Sequence, residues 1–177
     1  MAHISLAEEL PGITGPLRQY PETAQHLMGL AETLLRGPSS ITPAERELIA
    51  TYISSGNECH FCTQSHAAAA RELYQTDNAI VDCVLQDLTS APLSDKMRAL
   101  LNIAGKVRQD GRLVTAADVE QARQAGADDK AIHDTVLIAA AFCMFNRYVD
   151  GLGTWAPAEP AAYKEAGVRL ATMGYQG

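Results

Sequence analysis

Aromatic side chains are scarce in this chain: they make up 6% of its 177 residues, with one tryptophan and three phenylalanines. That leaves little material for a base-stacking surface. Positive charge is also short. Fourteen Lys and Arg stand against 21 Asp and Glu, a net charge of −7, which speaks against a nucleic-acid partner and against a basic helix lying on a membrane. No run approaches the roughly 18 apolar residues of a membrane span. The longest, Val136 to Phe145, is too short. The N-terminus lacks a basic region followed by an apolar block and a small-residue cleavage site, so the expectation is a cytoplasmic protein without a signal peptide. In such a chain the four cysteines, Cys59, Cys62, Cys83 and Cys143, do not make a disulfide framework.

What is present is helical spacing. Hydrophobic residues make up 47% of the chain, sustained alternation is absent, and the length suits one domain spanning residues 1–177. Residues 1–21 carry Pro11, Gly12, Gly15, Pro16 and Pro21 and read as an irregular arm with a helical turn at Leu6 to Leu10. A helix follows from Glu22 to Arg36 and stops at Gly37-Pro38. Thr42-Pro43-Ala44-Glu45 is a capping box with proline at the first helical position. It opens a helix pair over 42–74 that breaks at Gly56, with Asn57 placed to cap the second member. Asp77, Ser94 or Asp95, Thr115 and Asp128 open further helices, the last running to about Asp150. Residues 154–177 form a tail with a final helix over Pro160 to Met173. The expected fold is all-α, with seven or eight helices. Ile41-Thr42, Arg46 and Leu48-Ile49 recur at a constant offset as Leu93-Ser94, Arg98 and Leu100-Leu101, an echo open to two readings: a duplicated helix pair, or two helix starts that merely look alike.

Chemistry concentrates in Cys59-His60-Phe61-Cys62-Thr63-Gln64-Ser65-His66. Spacings of three and four put Cys59, Cys62 and His66 on one helix face. The helix start favours a thiolate, His66 can exchange a proton with the Cys62 sulfur, and two sulfurs so spaced can close into a redox-active disulfide once one is oxidised. The dipole argues for Cys59 as the attacking sulfur and the histidine for Cys62. A zinc site would need two more ligands, and Cys83 and Cys143 read instead as buried small apolar residues. Glu47, beside an apolar stripe, is either solvated or aimed at something. His60 points roughly 100° away from Cys59 and reads as a neighbour or interface residue. Tyr52 and Asn57 are candidates for the surroundings of the thiols. Asn146, Arg147 and Asp150 form a polar patch on an apolar helix, either an Arg–Asp pair or a contact with the pocket or a neighbouring subunit, and Trp155 is expected at a subunit boundary.

Arg46-Glu47, Ser54, Asn57, Cys59, Cys62 and His66, followed downstream by Phe145-Asn146-Arg147-Tyr148-Val149-Asp150-Gly151, resemble the alkylhydroperoxidase D-like family within the carboxymuconolactone decarboxylase superfamily, and its peroxidase-related subgroup in particular. The resemblance runs from about Leu10 to Thr154. It implies an all-helical fold, trimers or hexamers of one chain, and antioxidant peroxide reduction without metal, haem or other cofactor. Carried over position by position, it implies that Cys62 attacks the peroxide and Cys59 resolves the sulfenic acid. Glu47 and His66 become a proton relay. The partners would be hydrogen peroxide or an organic hydroperoxide, and an external dithiol of lipoyl or thioredoxin-like type. The alternatives are a general disulfide oxidoreductase, a decarboxylase-type lyase on the same fold, and a redox sensor without turnover.

Overall fold

Thr42 starts the helix that organises the site. Its hydroxyl accepts from the Glu45 N–H, and the Glu45 carboxylate accepts from the Thr42 N–H. The computed structural model describes residues 2–176 and is all helical, with nine α-helices and no strand among those residues. In chain order they are α1 (Thr14–Gln19), α2 (Pro21–Arg36), α3 (Pro43–Gly56), α4 (His60–Tyr74), α5 (Ala79–Gln86), α6 (Asp95–Gln109), α7 (Ala116–Gln124), α8 (Asp129–Gly151) and α9 (Lys164–Met173). Short 3₁₀ turns sit at Gln75–Asp77, Gly111–Leu113 and Pro160–Tyr163. Among the described residues no helix is long and apolar enough to cross a membrane.

The core lies where α3, α4, α6 and α8 meet. Leu48, Ile49 and Ile53 of α3, Leu100, Leu101 and Ile103 of α6, and Ile138 and Phe142 of α8 are fully or almost fully buried there. Side chains cap α6, α7 and α8: Ser94 accepts from the Met97 N–H, Thr115 forms a capping box with Asp118, and Asp128 accepts from the Ala131 N–H. The echo noted above marks two junctions built alike. Arg46 donates to the carbonyls of Leu34 and Gly37, and Arg98 donates to those of Leu88 and Ala91. Arg46 thereby satisfies carbonyls at the C-terminal end of α2, and Arg98 satisfies carbonyls of the loop between α5 and α6.

Several expected boundaries move. The arm has no helical turn at Leu6 to Leu10; its helix is α1, beyond Pro11-Gly12, and this raises the count to nine. Residues 3–12 form bends and turns tied to the segment after α8 instead, with His3 N–H on the Leu152 carbonyl and Gly12 N–H on the Trp155 carbonyl. Asn57 does not cap α4; Cys59 occupies that position. Asp77 closes a 3₁₀ turn, so α5 starts two residues later, and a second 3₁₀ turn occupies the first four residues expected of the final helix.

Helix α9 lies against α4 at a point where only glycine fits. A Cβ on Gly167 would come 2.6 Å from the Ala68 Cβ and 2.8 Å from its carbonyl carbon. Gly167→Ala is therefore expected to push α9 off α4 and to destabilise the protein by about 1–3 kcal/mol, read as a lower urea midpoint at unchanged slope.

Candidate active site

Glu47 is the centre of the arrangement. It sits on α3 with its side chain fully buried. One oxygen, Oε1, accepts from Arg36 Nη2 at 2.6 Å and from the Tyr175 hydroxyl at 2.6 Å. The other, Oε2, faces His66 Nδ1 at 2.8 Å. Burial alone would raise the carboxyl pKa. The His66 imidazole, then Arg36 and the Tyr175 hydroxyl, outweigh it and hold the group below its ordinary value. Glu47 is thus an anion inside the protein, kept so by partners drawn from α2, α4 and the C-terminal tail. Because Oε2 accepts, His66 Nδ1 carries a proton, and among the described residues its Nε2 has no protein partner.

The thiols lie at the start of α4. The α3–α4 connection turns through Glu58, a non-glycine residue with φ +60°, and leaves Cys59 at the helix cap and Cys62 in the first turn. Both cysteines are buried, Cys62 with 3% of its surface exposed, and neither is oxidised. They differ in chemistry. Interaction with the Cys59 side chain, then with His66 and the Asn146 amide, lowers the Cys62 pKa against the cost of burial. The same interaction, then burial, drives the Cys59 thiol well up. The opposite directions of the two shifts make Cys62 the more readily ionised sulfur of the pair. The first turn exposes Cys62 to the helix dipole as well, so the dipole no longer singles out Cys59.

A polar floor supports the pair. Asn57 Nδ2 donates to Asn146 Oδ1 at 2.9 Å, and Asn146 Nδ2 donates to Ser54 Oγ at 3.0 Å. Asp150, one turn beyond Asn146 on α8, faces the Cys59 thiol, and its charge opposes ionisation of Cys62. Asp150→Asn is expected to shift the pH profile of Cys62 alkylation to lower pH, checked by peptide mass spectrometry after timed iodoacetamide treatment. Arg147 does not pair with Asp150; it reaches back to the Cys143 carbonyl at 3.3 Å. His60 contacts the Pro157 carbonyl at 3.0 Å and the edge of Tyr163, away from the thiols. Trp155 donates to the Glu9 carbonyl within its own chain.

Tyr52 falls outside the cluster. Five residues beyond Glu47, it points about 140° round the helix. It lines a groove of about 800 Å³ with Ala99, Asn102, Gly105 and Lys106, which contains no cysteine or histidine. Among the described residues no group of three or more His, Cys, Asp or Glu is placed to hold a metal. Arg36 and Tyr175 are site residues that sequence reasoning missed. Arg36 ends α2 before Gly37-Pro38, and Tyr175 follows Gly174 near the chain end. Neither carries a local signal.

A smaller cavity of about 180 Å³ opens onto Cys62, Ser65 and His66. Its walls are largely apolar, with Ile13, Leu17, Met28, Phe142, Phe145 and Leu170 among them, and among the described residues Arg169 is the one Lys or Arg lining it. Phe142 meets the His66 ring edge-on at 4.6 Å between centroids. The cavity is below the size range of drug-like ligand sites. It holds the equivalent of about six waters at ~30 Å³ each.

Fold and cluster define an all-helical protein with a buried Cys-x-x-Cys pair beside a glutamate–histidine couple. Residues 21–106 match the model of the carboxymuconolactone decarboxylase family. Among solved structures, the chain is similar to an alkylhydroperoxidase D core, an uncharacterised peroxidase-related protein from Ralstonia eutropha JMP134. Identity is 26% over 89% of this chain and 81% of that one, with a TM-score of 0.79. A peroxidase-related protein from Silicibacter sp. TM1040 is 28% identical over 85% and 78%, TM-score 0.76. A protein of unknown function from Agrobacterium tumefaciens, 19% identical over 84% and 99%, TM-score 0.68, shares the fold. No curated protein matches the sequence. In sequence over residues 21–106 and in fold, the chain is similar to alkylhydroperoxidase D-like proteins of the carboxymuconolactone decarboxylase superfamily.

Proposed function

We propose that this protein is a thiol-dependent peroxidase that reduces small organic hydroperoxides, with Cys62 as nucleophile and Cys59 as resolving thiol. The observation that carries the reading is the buried Cys62 sulfur, favoured as a thiolate, at the end of an apolar cavity beside a histidine held by a buried carboxylate. The Cys62 thiolate attacks the terminal peroxide oxygen. An S–O bond forms, the O–O bond breaks, and the sulfur is oxidised by two electrons to a sulfenic acid. The leaving alkoxide takes a proton from His66, with Glu47 stabilising the histidine through the transfer. Cys59 then attacks the sulfenic sulfur. An S–S bond forms, and the departing hydroxide takes up the Cys59 proton and leaves as water. An external dithiol of lipoyl or thioredoxin-like type returns both cysteines to thiols.

The relatives' peroxidase-related descriptions agree with this reading. An apolar cavity favours an organic peroxide over hydrogen peroxide, because its walls gain from burying an alkyl body. It is a poor fit to a lyase acting on a carboxylated lactone, which would call for more than one cation at the rim. We place the working protein in the cytoplasm as a homo-oligomer of three or six copies, each a single domain.

The test is oxidation by one equivalent of an organic hydroperoxide, read by mass spectrometry. The peptide carrying Cys59 and Cys62 should lose two hydrogens while one equivalent of alcohol forms. Fully reduced peptide and intact hydroperoxide would reject the reading. In Cys59→Ser the oxidation should stop at a trappable sulfenic acid on Cys62. An adduct on Cys59 in Cys62→Ser, with none on Cys62 in Cys59→Ser, would reverse the order of attack.

A further inference from the structure

Tyr175 lies two residues beyond α9, where the chain folds back between α2 and α4. The turn is made at Gly174, with φ +74°, and a Cβ there would come 2.5 Å from Glu32 Oε2. Glu32 Oε2 also accepts from the Tyr175 N–H at 2.6 Å, which anchors the tail. The tyrosine ring is then held on two sides. The Arg36 guanidinium lies over it at 5.2 Å from the centroid, and the His66 ring stacks on it at 6.1 Å with an interplanar angle of 15°. This places the buried hydroxyl 2.6 Å from Glu47 Oε1 and 3.2 Å from His66 Nδ1.

We propose that Tyr175 is a positioning residue for the thiol centre, and that the C-terminal tail fixes Glu47 in the rotamer that presents Oε2 to His66. This rests on the reading that Glu47 and His66 serve Cys62. A carboxylate with one oxygen on Arg36 alone can rotate, because Arg36 is shared with the carbonyls of Leu35 and Leu170. The tyrosine hydroxyl completes Oε1 and leaves Oε2 a single partner. The charged and titratable groups facing this point are Glu32 and Arg36 from α2, Glu47 from α3, His66 and Cys62 from α4, and Arg169 from α9, with Asp150 of α8 facing the thiols. Loss of the hydroxyl frees Oε1 to turn, takes Oε2 out of line with His66 Nδ1, and so weakens the His66 contribution that lowers the Cys62 pKa.

The test is the pH profile of Cys62 alkylation by iodoacetamide, read on the Cys62 peptide without peroxide. Tyr175→Phe keeps the ring between Arg36 and His66 and removes only the donor. Alkylation near neutral pH should slow by roughly 2- to 10-fold, the loss expected for one hydrogen bond, and the inflection should move to higher pH. Fluorotyrosine placed at position 175, a stronger donor, should move it to lower pH and keeps the test available if the phenylalanine variant does not fold. Profiles that superimpose on the wild type, or shifts of the opposite sign, overturn the proposal. The readout needs no turnover, so its outcome is separate from that of the peroxidase assay.

Discussion

Cys62→Ser is expected to abolish hydroperoxide turnover, a loss of at least about 10³-fold, because a serine hydroxyl is no nucleophile toward an O–O bond at neutral pH. Cys59→Ser should behave differently. It retains a hydroxyl that can hydrogen-bond to the Cys62 sulfur, so one equivalent of hydroperoxide is still consumed. Turnover then stalls at the sulfenic acid, because no second sulfur lies on the same helix turn. The asymmetry follows from the two thiols' environments: the interaction between them lowers the pKa of Cys62 and raises that of Cys59. Stopped-flow consumption of hydroperoxide separates the variants. Equal loss of the first turnover in both would show that the sulfurs are not divided into attacker and resolver.

The second large effect is at Glu47. Glu47→Gln keeps the shape and removes the charge. General acid–base catalysis contributes about 10²–10⁴-fold, and turnover should fall into that range, with the Cys62 alkylation profile displaced to higher pH. Stability responds too. The Glu47 pKa is held below its ordinary value of 4.5 in the folded protein, so the anion's contribution is present above its unfolded-state value and lost as pH falls through the folded one. Urea midpoints of the wild type should decline in that acid window, and the decline should shrink in Glu47→Gln. Glu47→Ala should be worse than either, costing about 3 kcal/mol, because the largely buried Arg36 is left without its carboxylate. An unchanged acid limb in Glu47→Gln would show that the buried carboxylate is not ionised in the native protein.

The helix pair 42–74 was legible because its signals are local. Thr42-Pro43-x-Glu45 fixes one start, and spacings of three and four put Cys62 and His66 on one face. Glu47 was ambiguous on spacing and took its role from the resemblance, since its partners lie 11, 19 and 128 residues away in sequence. The same distance hid Tyr175: a tyrosine after a glycine near a chain end is ordinary until the tail folds back. Asn57 misled for a different reason. It is a good cap residue, but the chain turns at Glu58 and hands the cap to Cys59, freeing the Asn57 amide for Asn146. The polar patch of Asn146, Arg147 and Asp150 reads either as an Arg147–Asp150 pair or as contacts with the pocket or a neighbouring subunit. Only the placement of α8 against the α3–α4 turn separates those readings.

The most direct measurement is steady-state consumption of hydrogen peroxide and a series of small organic hydroperoxides, with a panel of lipoyl and thioredoxin-like dithiols as donors. The account predicts turnover with at least one dithiol, a preference for compact organic hydroperoxides over hydrogen peroxide, and none of this in Cys62→Ser. Absence of turnover with every donor, or turnover that survives Cys62→Ser, would contradict it.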